Sequence, residues 1–173
     1  MAYKATDLEV TVGTISSGDR RSTYRDDDVY LIVDEVTGTP GFEIIFTFNG
    51  MREVGKYSNQ IEFSLAGYYE GTLNHEVKAY IWNYSTEAWD ALTALADDFP
   101  DETSKQYYTL AVDIDDYVSV ERFQGFTGYD REAKIMVQHV DAGNVLHKMH
   151  IDQVSLDFIT TGTDRHRELL AHA

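Results

Sequence analysis

The stretch AKIMVQHVDAGNVLHKMHIDQVSLDF, Ala133 to Phe158, decides the predicted fold. Apolar and polar side chains alternate on either side of residues 142–144, and a three-residue loop there predicts an antiparallel hairpin. This register places Ile135 opposite Ile151, Val137 opposite Met149, and His139 opposite His147, with the loop formed by Ala142, Gly143 and Asn144. The apolar residues of both strands then share one face of a sheet.

The alternation changes parity after Ile151. Asp152 and Gln153 intervene before Val154, Leu156 and Phe158 resume it. One additional residue in a strand is typical of a β-bulge. We therefore expect the last strand to bend near Asp152.

The rest of the chain is a succession of short segments rich in β-branched and aromatic residues. They predict strands at Leu8 to Ile15, Val29 to Val36, Phe42 to Asn49, Gln60 to Tyr69, His75 to Trp82, Tyr107 to Asp113, Tyr117 to Phe123, Glu132 to Val140 and Val145 to Ile159. So many strands in one chain predict two packed antiparallel sheets, an all-β sandwich.

One segment departs from this pattern. Ser85 or Thr86 could cap a short helix within Ser85 to Asp98, in which Trp89, Leu92 and Leu95 have a three-residue spacing. We therefore expect one short helix in an otherwise all-β domain.

Composition restricts the classes of function. The chain has 173 residues, 43% of them hydrophobic, which predicts a single domain over residues 1–173. Its net charge of −16 would repel nucleic-acid phosphates and anionic membranes, so neither is an expected partner. Without cysteine the chain has no disulfide or thiolate chemistry. The sequence also lacks an apolar secretion signal and a stretch of about 18 apolar residues that could span a membrane.

A resemblance joins three stretches of the chain. EVTGTPGFEIIFTFNG at Glu35 to Gly50, GYYEGTLNHEVKAYIWNYSTEAWDAL at Gly67 to Leu92, and the terminal HVDAGNVLHKMHIDQVSLDF resemble small jelly-roll proteins of tailed bacteriophage particles. The Ile-Asp-x-Val-x-Leu pattern at Ile151 to Leu156 also resembles galactose-binding-like jelly rolls, so the resemblance implies an antiparallel β-sandwich of the galactose-binding-like jelly-roll type. The resemblance implies a non-enzymatic virion protein made in the host cytoplasm, chiefly a capsid decoration or cement protein. It also implies a homo-oligomer or a subunit bound to the major capsid protein.

Aromatic residues support an alternative function. Carbohydrate-binding modules use exposed rings as stacking platforms, and such a module could serve as a receptor-binding domain on the same particle. The candidate rings are Tyr68, Tyr69, Tyr80, Trp82 and Tyr84, close to Trp89. Packing in the core or against another subunit is the competing explanation. Val77, Ala79 and Ile81 share one face of the strand and Tyr80 and Trp82 share the other, so at least one side of this strand must be lined by aromatic rings.

Acidic runs are candidates for calcium, whose preferred ligands are oxygens. They are Asp26 to Asp28, Asp97 and Asp98 with Asp101 and Glu102, and Asp113 with Asp115 and Asp116, the last run being the best candidate. Solvated turns are the competing explanation for all three. His139 and His147 could share a metal across the predicted hairpin, although an exposed histidine pair is the simpler expectation. No cofactor is expected, and the absence of a nucleophile motif or phosphate-binding loop predicts a protein that is not an enzyme.

Basic residues are concentrated near the two ends of this acidic chain. Residues 1–25 and 160–173 could be anchoring arms that order on an acidic neighbouring subunit. The partner-binding candidates are Arg20, Arg21, Arg25, Arg165, Arg167, Leu169 and Leu170. Ion pairs with nearby aspartates are the competing explanation for the arginines.

Overall fold

Strands dominate the computed structural model, which describes residues 2–51, 60–71, 76–92, 105–113, 117, 119–122 and 129–159. The strands are β1 (Tyr3–Lys4), β2 (Asp7–Val12), β3 (Thr14–Ser17), β4 (Leu31–Asp34), β5 (Phe42–Phe48), β6 (Gln60–Glu70), β7 (Val77–Asn83), β8 (Ala88–Ala91), β9 (Gln106–Asp113), β10 (Ser119–Arg122), β11 (Tyr129–His139) and β12 (Lys148–Ile159). A short 3₁₀ helix occupies Arg20–Thr23. Among the described residues, no helix has the length and apolar content needed to cross a bilayer.

The strands form two antiparallel sheets. Sheet I has the order β3-β4-β12-β6-β9, with β1 also paired to β12. Sheet II has the order β2-β5-β11-β7-β8, with β10 also paired to β11. The fold is therefore the predicted antiparallel β-sandwich of jelly-roll type.

The core lies between the two sheets and follows the alternation in the sequence. In β5 and β7 every second residue is buried. The largest fully buried side chains are Leu31 of β4, Phe42, Ile44, Phe46 and Phe48 of β5, Met51 shortly after β5, Ile61, Phe63, Leu65 and Tyr69 of β6, Ile81 of β7, and Ile135 of β11. Burying these side chains supplies the main driving force for folding.

Gly13 divides the first predicted strand in two. Its φ is +105°, and a Cβ there would lie 2.9 Å from the carbonyl oxygen of Asp34. Before this residue β2 belongs to sheet II, and after it β3 belongs to sheet I. Only glycine accommodates this turn, which carries the chain from one sheet to the other.

The predicted hairpin between β11 and β12 is wrong. β11 pairs with β5 and β7, whereas β12 pairs with β4 and β6, so the two strands belong to different sheets. Residues 140–147 cross between the sheets, and there Gly143 packs so closely that a Cβ would lie 2.5 Å from the Cα of Gly41. Alternation identifies the buried face of each strand but not its partner, and both strands face the same core from opposite sides. The predicted bulge is confirmed, because the register between β12 and β6 shifts between Ile151 and Gln153.

The predicted helix is also wrong over its described part. Residues 84–87 form a turn, and β8 then pairs Trp89 with Trp82 of β7. The side chain of Asn83 accepts hydrogen bonds from the backbone N–H groups of Ser85 at 2.9 Å and Thr86 at 3.0 Å, which closes the turn. Pairing with β7 therefore overrides the helical spacing, and residues 93–98 of the prediction lie outside the described residues.

Candidate functional site

The outer face of sheet II carries a partly exposed apolar strip. Ile45 of β5, Met136 of β11 and Tyr80 of β7 are direct cross-strand neighbours on this face. Met136 is 5% exposed, whereas Ile45 and Tyr80 are partly exposed. All three point away from the core because their strand neighbours, such as Ile44 and Ile81, point into it.

Two tryptophans extend the strip toward the edge of sheet II. Trp82 and Trp89 are directly paired across β7 and β8, with ring centroids 5.2 Å apart and ring planes at 71°. Both rings are partly exposed. We call Ile45, Tyr80, Trp82, Trp89 and Met136 the aromatic face.

Polar groups that hold one another in place border the aromatic face. Glu43 accepts hydrogen bonds from Gln138 Nε2 at 2.6 Å and from Thr11 Oγ1 at 2.6 Å. Gln138 also pairs in register with Lys78 of β7. On the opposite border the hydroxyl of Tyr84 donates to Glu132 Oε1 over 2.9 Å, and Lys134 lies 3.2 Å from the same oxygen.

This arrangement suits a ligand with one apolar and one polar side. Aromatic rings offer a flat apolar surface, and fixed amide and carboxylate groups offer hydrogen bonds at defined positions. A pyranose ring has such sides, since its C–H groups can stack on an aromatic ring while its hydroxyls reach the border.

The structure divides the five predicted carbohydrate residues among three places. Tyr80 and Trp82 lie on the aromatic face, and Tyr84 borders it. Tyr68 lies on the outer face of sheet I, stacked on His150 with centroids 4.2 Å apart. Tyr69 is only 1% exposed and lies in the core, so it is not available for stacking. The three-residue spacing predicts a helix that contains Trp89, whereas its cross-strand pairing with Trp82 makes it part of this face.

The predicted histidine pair is buried rather than exposed. His139 and His147 meet Glu35 between the sheets, with Glu35 and His139 having no exposed side-chain area. Glu35 Oε1 lies 2.5 Å from His139 Nδ1 and accepts from the Tyr69 hydroxyl at 2.8 Å, while Oε2 accepts from the backbone N–H of Asn144 at 2.8 Å. The hydroxyl of Tyr69 is also 2.9 Å from His147 Nδ1. These contacts tie the crossing segment 140–147 to β4 and β6, which indicates a structural role.

One of the three acidic runs takes part in a cluster at the bulge of β12. Asp26, Asp28 and Asp152 each place a carboxylate oxygen within 4.8 Å of the others. Lys105 lies among them, with Nζ 2.6 Å from Asp28 Oδ1, 2.6 Å from Asp152 Oδ2, and in contact with Asp26 Oδ1. We call these four residues the lysine cluster.

The lysine cluster does not fit a bound calcium ion. Calcium takes six to eight oxygen ligands at about 2.3–2.6 Å, and here the ammonium of Lys105 occupies the point on which the three carboxylates converge. Desolvation lowers the pKa of Lys105, but hydrogen bonds to Asp152, Asp26 and Asp28 outweigh it and raise the pKa above its ordinary value. Lysine therefore remains charged at any physiological pH.

The other predicted site residues are placed as follows. In the acidic run that is the best calcium candidate in the sequence, only the backbone of Asp113 at the end of β9 is described, and Asp115 and Asp116 lie outside the described residues. The partner-binding candidates near the C-terminus also lie outside them, namely Arg165, Arg167, Leu169 and Leu170. Residues 3–17 form strands of both sheets, which corrects the predicted arm over that part of residues 1–25. Arg20 donates to the Ala5 carbonyl at 2.8 Å, and Arg21 and Arg25 are exposed. Their role in partner binding stays a prediction.

No family model matches the chain, and no curated protein matches it. Among solved structures, it is similar to a family 29 carbohydrate-binding module at 15% identity and a TM-score of 0.49, over 95% of this chain and 97% of that one. It is similar to a family 4 carbohydrate-binding module at 12% identity and a TM-score of 0.48, over 88% and 94% of the two chains. It is also similar to the enzymatically active domain of tailspike protein 4 of bacteriophage CBA120, at 15% identity and a TM-score of 0.45 over 88% of this chain. The chain spans 19% of that tailspike chain.

Proposed function

We propose that this protein is a non-catalytic carbohydrate-binding domain whose ligand lies on the aromatic face of sheet II. The observation that carries the proposal is the paired Trp82 and Trp89, which are partly exposed beside Tyr80 on a strand face that does not contribute to the core. Large aromatic rings grouped on a protein surface usually mark a binding site.

The net charge of the chain favours an uncharged glycan. At the border of the aromatic face Glu43 and Glu132 are balanced by Lys78 and Lys134, but the chain as a whole carries a net charge of −16. An anionic polysaccharide would be repelled by this field. Binding of a neutral glycan should therefore depend little on salt concentration.

The test is affinity electrophoresis through gels containing neutral polysaccharides, together with a glycan array. Trp82→Ala and Trp89→Ala should each weaken binding about tenfold, since one stacked ring contributes about 1–1.5 kcal/mol. Tyr107→Ala is the control, because Tyr107 is a 63% exposed ring on sheet I. Equal losses in all three variants, or no glycan bound by the wild type, would rule out the proposal.

The non-catalytic assignment has its own measurement. Both oxygens of the Glu43 carboxylate accept hydrogen bonds, from Gln138 and Thr11, which suits a positioning role rather than proton transfer. Prolonged incubation with the bound glycan should release no new reducing ends. Release that is abolished by Glu43→Gln would instead identify an enzyme.

The place of the domain in a larger assembly rests on the sequence resemblance alone. We propose a receptor-binding role on a tailed-phage particle, in which the aromatic face meets a host surface glycan. Capsid decoration, the other predicted role, requires binding to phage heads that lack the protein. Sedimentation of the protein with such heads tests this role. If the protein binds the heads and the aromatic face serves a glycan, Trp82→Ala should leave head binding unchanged.

A further inference from the structure

Three chain segments meet at the lysine cluster. Asp26 and Asp28 belong to the segment after the 3₁₀ helix, Asp152 is the bulged residue of β12, and Lys105 directly precedes β9. The segment that carries Asp26 and Asp28 begins beside β12, where Tyr24 forms an isolated antiparallel bridge with Gln153. It then reaches the outer face of sheet I, where Asp26 contacts the exposed Tyr107 of β9. The cluster therefore fixes this segment to the sheet.

Asp152 cannot be left without a counter-charge. It is 0% exposed, and its carboxylate accepts from the backbone N–H groups of Asp27 and Asp28 at 3.3 Å each. Burying a carboxylate is costly unless a cation or several donors compensate it. The nearest cation in the described structure is the ammonium of Lys105 at 2.6 Å.

The number of N–H donors on the Lys105 ammonium equals the number of carboxylates in the cluster. A lysine has three N–H donors and no acceptor, and here three different carboxylates each accept one of them. The Tyr107 hydroxyl donates to Asp26 Oδ2 at 2.9 Å, and the Tyr30 hydroxyl donates to Asp28 Oδ1 at 3.0 Å. The side chain of Lys105 is only 16% exposed, so its stem is packed and its head is held in one place.

We propose that Lys105 is a built-in cation that takes the place of a divalent metal ion at the bulge of β12. The protein then needs no calcium for stability, and removal of the lysine charge creates a calcium site from Asp26, Asp28 and Asp152. This inference is independent of the proposed carbohydrate site, which lies on the other sheet.

The test measures thermal unfolding of the full chain in EDTA and in 10 mM CaCl₂. The wild type should melt within about 1 °C in the two buffers, since no cation is exchanged. Lys105→Met keeps the length of the side chain without its charge, and it should melt at least about 5 °C lower in EDTA. Calcium at 10 mM should then restore about 3–10 °C, as expected for dissociation constants of 10⁻⁴–10⁻³ M.

Two controls make the interpretation specific. Lys148→Met removes a lysine on the same sheet that is 37% exposed and paired 3.2 Å from Asp34, and it should neither lower the melting temperature as much nor create a calcium response. Lys105→Met combined with Asp152→Asn should lose the calcium response, because the buried ligand is gone. If Lys105→Met does not fold in EDTA, its refolding in 10 mM CaCl₂ is the measurement.

Three results would overturn the proposal. They are a wild type that is stabilised by calcium, a Lys105→Met variant as stable as the wild type in EDTA, and a destabilised variant that calcium does not rescue. Calorimetric titration of the wild type with CaCl₂ gives an independent check, and a stoichiometric site on the wild type would also contradict the proposal. Failure of the glycan experiments would leave these outcomes unchanged.

Discussion

Replacing the buried carboxylate of Glu35 by an amide, Glu35→Gln, should destabilise the sandwich by about 3 kcal/mol. Glu35 accepts hydrogen bonds from Tyr69, His139 and the Asn144 backbone at both of its oxygens. A glutamine has only one acceptor oxygen, so at least one buried donor would face its NH₂ group. A buried donor left without a partner costs about 1–3 kcal/mol, and each remaining bond loses about 1 kcal/mol when its acceptor is no longer charged.

Acidification should reduce the effect of Glu35→Gln. Burial alone would raise the pKa of Glu35, but hydrogen bonds from His139, the Asn144 N–H and Tyr69 lower it below its ordinary value of 4.5. A group whose pKa is lower in the folded state contributes stability that is fully present above its unfolded pKa. That contribution starts to fall below pH 4.5 and disappears as the pH falls through the lower folded pKa, so wild type and variant should begin to converge below pH 4.5.

Urea unfolding at pH 7 and pH 4 measures both the loss of stability and its dependence on pH. In thermal unfolding at pH 7, the melting temperature of the variant should lie about 6–12 °C below that of the wild type. Glu70→Gln is the matched control, since Glu70 also pairs with a histidine, His150, at 2.9 Å but is 53% exposed. An exposed pair contributes about 0–1 kcal/mol. The reasoning is refuted if Glu35→Gln loses less than about 1 kcal/mol, or no more than Glu70→Gln.

Two further predictions concern sheet I. Gly67→Ala should destabilise the protein by about 2 kcal/mol or more in urea unfolding, because a Cβ at Gly67 would lie 2.3 Å from the backbone oxygen of His150 and would force β6 and β12 apart. Unfolding at the wild-type urea concentration would contradict that close contact. His150 should titrate below 6.5 in an NMR experiment, since desolvation lowers its pKa despite the nearby Glu70, and stability should decrease as the pH falls below 6.5 because the unfolded chain binds the proton first. An NMR midpoint at or above 6.5 would show that the ring is not desolvated.

The sequence predicts the strands of this fold well because alternation records burial directly. Each of the nine predicted strands corresponds to at least one observed strand. In the third of them the alternating residues Phe42, Ile44, Phe46 and Phe48 are all fully buried. The bulge after Ile151 is visible in the sequence for the same reason, since an extra residue reverses the parity.

Strand pairing cannot be read from that pattern. The apolar residues of β11 and β12 face the same core, so a hairpin and a crossing between sheets produce the same alternation. The buried cluster was missed for a related reason. Glu35 is far in sequence from His139 and His147, and polar residues between two sheets look like exposed ones when their partners are unknown.

The two outer faces of the sandwich differ in a way that connects both proposals. On sheet I the segment containing Asp26 and Asp28 covers part of the outer face, where Lys105 fixes it to Asp152 and Tyr30 packs edge-on against Tyr68. On sheet II the rings of Trp82 and Trp89 remain partly exposed. The segment that covers the outer face of sheet I shields the polar bulge of β12. Partly exposed aromatic rings on sheet II are useful only if a ligand or a partner covers them. Damage to the lysine cluster should therefore lower stability without changing glycan affinity, whereas loss of Trp82 or Trp89 should lower affinity with little change in stability.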